Sequence, residues 1–193
     1  MTSFQSLSLA APDFMINVDE RSQRQLLAGE VLTQTQPYSA WGGAVTAFIY
    51  LPKGRSHVWQ QLTNYPRWVQ FFPDMIRSEI VAASSAQSQG YKRLYQVAQK
   101  AFLMFTAKVE VYLRVAETTL NNTDQIQFRF ERGDFSEFSA DLRLQDYQTG
   151  TLLTYSVKAT PSIPVPAMFI QEAMKMDLPA NLRRMRQVIC DRP

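Results

Sequence analysis

The chain has 193 residues, 46% of them apolar and 19% charged, with 20 Lys and Arg against 17 Asp and Glu. That balance excludes a disordered chain, and a net charge of +3 is too small and too scattered for a nucleic-acid footprint. The length suits one domain with a full hydrophobic core, and no apolar stretch approaches the roughly 18 residues that cross a bilayer.

Residues 1–25 mix polar and apolar side chains without sustained periodicity and read as an N-terminal arm ahead of a single domain, 26–193. Asp13, Asp19 and Glu20 interrupt this stretch, and no basic segment precedes an apolar run, so a secretory signal is not expected. From Leu26 onward, short runs of Val, Thr, Phe, Tyr and Ile separated by turn residues mark antiparallel strands, the first over Leu27 to Thr35 and the second over Gly43 to Leu51. Pro52, Lys53 and Gly54 break the second strand. Ser56 is then placed to cap a helix carrying Val58, Trp59 and Leu62. Tyr65, Trp68 and Phe71 recur every three residues and share one face of a second short helix that Pro73 stops.

The strands then resume. Phe105, Ala107, Val109, Val111, Leu113 and Val115 alternate with polar neighbours, so one face is buried and the other wet. The pattern returns at Ile126, Phe128 and Phe130, at Phe138, Ala140, Leu142 and Leu144, and at Leu153, Tyr155, Val157 and Ala159. Turns are expected at Gly133-Asp134 and from Asp146 to Gly150. Pro161, Pro164 and Pro166 stiffen the crossing to a terminal helix, on which Ile170, Met174, Leu178, Leu182, Met185 and Ile189 form one apolar stripe. Pro179 should bend that helix. The expected class is α+β: a curved antiparallel sheet around a long C-terminal helix, with two short helices after an early strand.

Little in the chain suggests polar catalysis. His57 is the only histidine, which excludes multi-imidazole metal sites, and no metal or catalytic residue is assigned. Cys190 is the only cysteine, so no internal disulfide forms, and a lone thiol fits a reducing, cytoplasmic setting. Seven glycines leave little material for a phosphate-cradling loop. Glu131, Asp134 and Glu137 read as a solvated hairpin turn. Arg183, Arg184 and Arg186 read as a basic helix end. The aromatic content, 12 Phe, 8 Tyr and 3 Trp, stands out, and Tyr155 places a phenol on a buried strand face, where it needs a partner.

Tyr50-Leu51-Pro52, the run Val58-Trp59-Gln60-Gln61-Leu62-Thr63-Asn64-Tyr65-Pro66-Arg67-Trp68 and Phe71-Phe72-Pro73 resemble the polyketide cyclase and dehydrase branch of the START-like, Bet v 1-like superfamily. The coenzyme Q-binding proteins belong to the same branch. The likeness covers about Ala40 to Ile189 and implies a helix-grip fold with a ligand pocket between sheet and final helix, its mouth near the short helices. It carries Trp68 and Phe72 to that mouth and Met174 and Leu178 to the helix side. Strand alternation adds Phe105, Phe128, Phe130, Phe138 and Tyr155. An empty pocket of about 300 Å³ would cost about 7 kcal/mol at about 24 cal/mol per Å³, so water or an apolar guest should fill it.

Three functions are open on these grounds. The first is a carrier of a hydrophobic small molecule such as a lipid, a quinone or a polyketide-like ring, with no cofactor. The second is a cyclase or aromatase. The third is a module that docks on ribosomes or makes peripheral membrane contact. Oligomeric state is not readable.

Overall fold

The computed structural model describes residues 19–81, 90–102, 105–120, 122–162 and 167–191. Where a strand was expected over Leu27 to Thr35, the chain first forms a helix, α1 (Glu20–Leu27). Its cause is a cap: Asp19 is extended, and its carboxylate accepts the Ser22 N–H at 2.8 Å. Gly29, at φ +87°, then turns the chain into β1 (Leu32–Ser39). Leu26 is the buried residue of α1, so the helix carries no apolar stripe for periodicity to detect. It straddles residue 26, and residues 1–18 of the arm lie outside the described residues.

β2 (Gly42–Leu51) leads into α2 (Arg55–Leu62), whose N-cap is Gly54 and not Ser56. A 3-10 turn (Tyr65–Arg67) and α3 (Trp68–Phe71) follow, and Tyr65, Trp68 and Phe71 are all buried, as their spacing requires. The chain continues through β3 (Met75–Val81), β4 (Lys92–Phe102), β5 (Phe105–Leu120), β6 (Thr123–Gly133), β7 (Phe135–Tyr147), β8 (Gly150–Pro161) and α4 (Ala167–Cys190). β3 and β4 carried no expectation of their own; β3 leaves three of its seven residues exposed and alternates poorly. Residues 163–166, including Pro164 and Pro166 of the stiff crossing, lie outside the described residues.

The described strands form one curved sheet in the order β1-β2-β8-β7-β6-β5-β4-β3, antiparallel throughout. β3 to β8 follow one another as a meander, while α2, the 3-10 turn and α3 carry the chain from β2 across to the far edge. Gly133 makes the tight β6–β7 turn at φ +134°, where a Cβ would meet the Glu110 carbonyl oxygen at 2.2 Å.

One core lies between the inner sheet face and α4. Leu178, Leu182, Met185 and Ile189 of the expected stripe are buried in it, and Met174 packs at its border. At roughly 1.5–3 kcal/mol for each buried side chain, those four contribute about 6 to 12 kcal/mol before entropy is counted. The helix runs through Pro179 and lies along β2 in the same direction. At one end a Cβ on Gly43 would come within 2.8 Å of the Met174 sulfur; at the other, Arg186 Nε donates to the Tyr50 carbonyl at 3.1 Å. β2 is buried on both faces because Phe48 and Tyr50 meet Leu26 of α1 and Leu152 on the outer side.

Candidate functional site

The inner sheet face alternates large and small side chains. Ala47 opposes Tyr155 on β8, and Ala140 opposes Phe128 on β6, so two rings on either side of β7 each have space beside them. α3 sets two more rings over this floor. The Trp68 indole lies 5.4 Å from Phe72, nearly parallel, and 5.1 Å from Phe128, tilted. Phe72 meets Tyr155 edge-on at 6.4 Å, and Tyr65 meets Phe128 edge-on at 6.1 Å. These separations and angles are those that aromatic quadrupoles favour. Trp68 is held in place because its Nε1–H donates to the Leu62 carbonyl at 2.8 Å.

Four of the nine residues singled out from the sequence therefore form one cluster: Trp68, Phe72, Phe128 and Tyr155. Phe130, Met174 and Leu178 belong to the same core, but no ring contact joins Phe130 to the four. Phe138 pairs instead with Phe135, at 5.3 Å. Phe105 starts β5, and its side chain lies outside the described residues. Sequence spacing missed Tyr65 as a partner of Phe128, although its i, i+3 relation to Trp68 was the signal.

The polar groups at this cluster are few and distinct. Tyr155 is 7% exposed, and its hydroxyl makes no hydrogen bond to a described residue. Burial, with a smaller effect of the Asp141 charge, raises the phenol above its ordinary pKa. It therefore stays protonated and can donate or accept. The Tyr65 hydroxyl, by contrast, donates to Glu117 Oε1 at 2.6 Å, and Lys92 Nζ holds the same oxygen at 2.6 Å. Burial first and that carboxylate second push the Tyr65 phenol far up. Ser78 Oγ donates to the Tyr65 carbonyl at 2.7 Å and receives Gln96 Nε2 at 3.2 Å, closing the remaining buried polar groups at this edge.

Among the described residues, three surface clefts lie on the molecule, and none of these three is lined by the four rings. One of about 420 Å³ lies between Lys108, Glu110, Tyr112, Arg132, Gly133 and Asp134. One of about 440 Å³ lies beside Arg55, Ser56, Trp59, Thr119, Asp124 and Asp146. The third, about 640 Å³, lies between α3 and α4. At this point Trp68, Phe72, Phe128 and Tyr155 pack directly ring on ring.

Other sequence expectations change as well. The turn acids are not simply solvated: Glu131 pairs with Arg93, and Asp134 Oδ2 accepts the Glu110 N–H at 2.8 Å. Arg186 is bound to Tyr50 and leaves the basic helix end, on which Arg183 and Arg184 remain exposed. Of the methionines on α4, Met168 and Met176 are exposed, while Met185 is buried. Cys190 is half-buried, and desolvation raises its thiol against the weaker pull of Arg186 and Lys53, which disfavours a nucleophile. His57 lies inside α2 with its Nε2 buried and without a hydrogen-bond partner among the described residues. No group of His, Cys, Asp and Glu among the described residues could hold a metal ion, and no described helix is long and apolar enough to cross a membrane.

The fold is shared with solved proteins at low identity. A STAR-related lipid transfer protein from Xanthomonas axonopodis superposes with a TM-score of 0.62 at 10% identity, covering 81% of this chain and 98% of its own. A START superfamily protein from Mycobacterium smegmatis gives 0.61 at 14% identity, covering 77% and 97%. The Zhui aromatase/cyclase from Streptomyces sp. R1128 gives 0.58 at 13% identity, covering 77% and 93%. No curated protein matches the sequence. Residues 51–186, from the last residue of β2 through most of α4, match the family described as polyketide cyclase / dehydrase and lipid transport, and the chain belongs to that family.

Proposed function

We propose that the protein binds and carries a hydrophobic small molecule, ring-bearing or lipid-like, received against Trp68, Phe72, Phe128 and Tyr155. The observation that carries this reading is the Tyr155 phenol, which no described side chain or carbonyl engages, set against an otherwise apolar cluster. A guest oxygen that met this phenol would gain a hydrogen bond among apolar neighbours. Family membership points the same way, since lipid transport is within the family's description. Because the rings touch one another, a guest enters by displacing one. Phe72 is the candidate, as the only one of the four rings that is not fully buried.

Quinones, with two carbonyl acceptors on a flat apolar ring, suit both the phenol and the neighbouring rings and are the guest class to try first. A panel of a short-chain quinone, medium-chain fatty acids and a tricyclic aromatic ketone should raise the melting temperature with at least one member, by the mass-action stabilisation that any native-state ligand gives. The absence of a shift with every member at saturating concentration removes the carrier reading.

A cyclase is the second reading, favoured by the same atom: a protonated phenol in an apolar site can donate to a ketone oxygen as negative charge develops there. Turnover of an aromatic polyketone analogue that survives Tyr155→Phe would remove that role.

A further inference from the structure

The largest of the three clefts, about 640 Å³, lies between α3 and α4 and is lined by Val69, Gln70, Pro73, Arg184 and Val188. α3 turns Trp68 and Phe71 inward, so Val69 and Gln70 on its other side face this cleft. Across it, α4 turns Met185 and Ile189 inward and presents Arg184, while Val188 packs against the border of the main core. The walls thus combine an apolar strip with two polar groups from different elements.

Those two groups are left over from the fold. The Gln70 Oε1 atom is buried and has no hydrogen-bond partner among the described residues. Arg184 is exposed, and among the described residues no carboxylate pairs with it, whereas Arg55 and Lys92 elsewhere in the fold are paired. Turned toward the cleft, the Gln70 amide oxygen would accept a hydroxyl, and a guanidinium binds an anionic oxygen in bidentate fashion. Val69, Pro73 and Val188 between them offer apolar contact and no competing charge.

From this geometry we infer that the α3–α4 cleft is the head-group site for an amphiphile whose head joins an anionic oxygen to a hydroxyl, Arg184 taking the anion and Gln70 the hydroxyl. The inference rests on the carrier reading and adds the polar end of the guest to it. The apolar part of the guest passes Val69, Pro73 and Val188 and continues inward at Phe72, the least buried of the four rings and the neighbour of Pro73. A 3-hydroxy fatty acid has this head chemistry and serves as the probe.

Calorimetric titration of the full chain with 3-hydroxydodecanoate, dodecanoate and dodecan-1-ol separates the contributions at low ionic strength. The hydroxy acid should bind tightest and the alcohol weakest. Arg184→Gln should weaken both acids about fivefold and leave the alcohol unchanged; 0.5 M salt should have the same effect on the unaltered protein. Gln70→Leu should bring the hydroxy acid level with the plain acid. Arg184 is exposed, so its variant should keep the thermal transition of the parent, which is checked alongside. Equal affinity for all three probes, or acids indifferent to Arg184→Gln, overturns the head-group site while the carrier reading stands. Binding of none of the three overturns the head-group site, and the carrier reading then falls only if the quinone and aromatic ketone also fail to shift the melting temperature.

Discussion

Trp68→Ala is the sharpest perturbation of the aromatic cluster. The indole is almost fully buried and touches Phe72, Phe128 and Tyr65 at centroid distances of 5.4, 5.1 and 6.0 Å. Removing it leaves a void on the order of 150 Å³, a size known to stay dry when its lining is apolar. At about 24 cal/mol per Å³ that void costs about 3.6 kcal/mol. The Leu62 carbonyl also loses its Nε1–H donor, which adds about 1 kcal/mol. The expected loss is thus about 4–5 kcal/mol, comparable with the whole stability of a marginal domain, about 5–15 kcal/mol. Urea unfolding followed by far-ultraviolet circular dichroism measures it, with an unchanged m-value confirming that the folded state is the one altered. Indole should restore part of the loss by occupying the void. A loss below about 1.5 kcal/mol without indole rescue would refute the packing described for these four rings.

Two further perturbations address the polar framework. Tyr65 and Tyr155 both have phenols raised above the ordinary value of about 10 by burial, so the folded protein keeps protons that the unfolded chain releases. Stability should be level up to about pH 10 and fall above it, by about 1.4 kcal/mol per pH unit for each phenol. Tyr65→Phe and Tyr155→Phe should each remove one such contribution; an alkaline limb unchanged in both variants would contradict their burial. Arg55 sits between Asp124 at 3.1 Å and Asp146 at 3.2 Å, and Asp124 is buried. Arg55→Ala strands that carboxylate and should cost about 3 kcal/mol, while Asp146→Ala, at an exposed partner, should cost under about 1 kcal/mol. Equal losses in denaturant midpoint would show that Asp124 is solvated after all.

Much of the architecture was legible because the apolar periods were long. β5 kept alternation over eleven residues, and α4 carried six apolar residues at helical spacing; β5 buries Val111, Leu113 and Val115 of its assigned face, and α4 buries Leu178, Leu182, Met185 and Ile189. Tyr65, Trp68 and Phe71 needed only two turns, because all three are large. α1 escaped notice because a single cap and one buried leucine hold it, and local capping leaves no period to read. The ring cluster was half legible: alternation told that Phe128, Phe130, Phe138 and Tyr155 face inward, but not that Phe138 would turn to Phe135. That choice depends on cross-strand register, which a one-dimensional pattern does not contain. The α3–α4 cleft was not legible at all. Gln70 and Arg184 lie far apart in the chain, and only the packing of one helix on the other brings them to one wall.

The most direct measurement of guest binding uses the tryptophan inside the cluster. A Trp41→Phe, Trp59→Phe variant keeps Trp68 as its one indole, and titration with a short-chain quinone reports on that position alone. The carrier account predicts saturable quenching with one site per chain, diminished when Tyr155→Phe removes the hydroxyl that meets the guest. Trp68 emission that stays unchanged while the quinone reaches its solubility limit would contradict it.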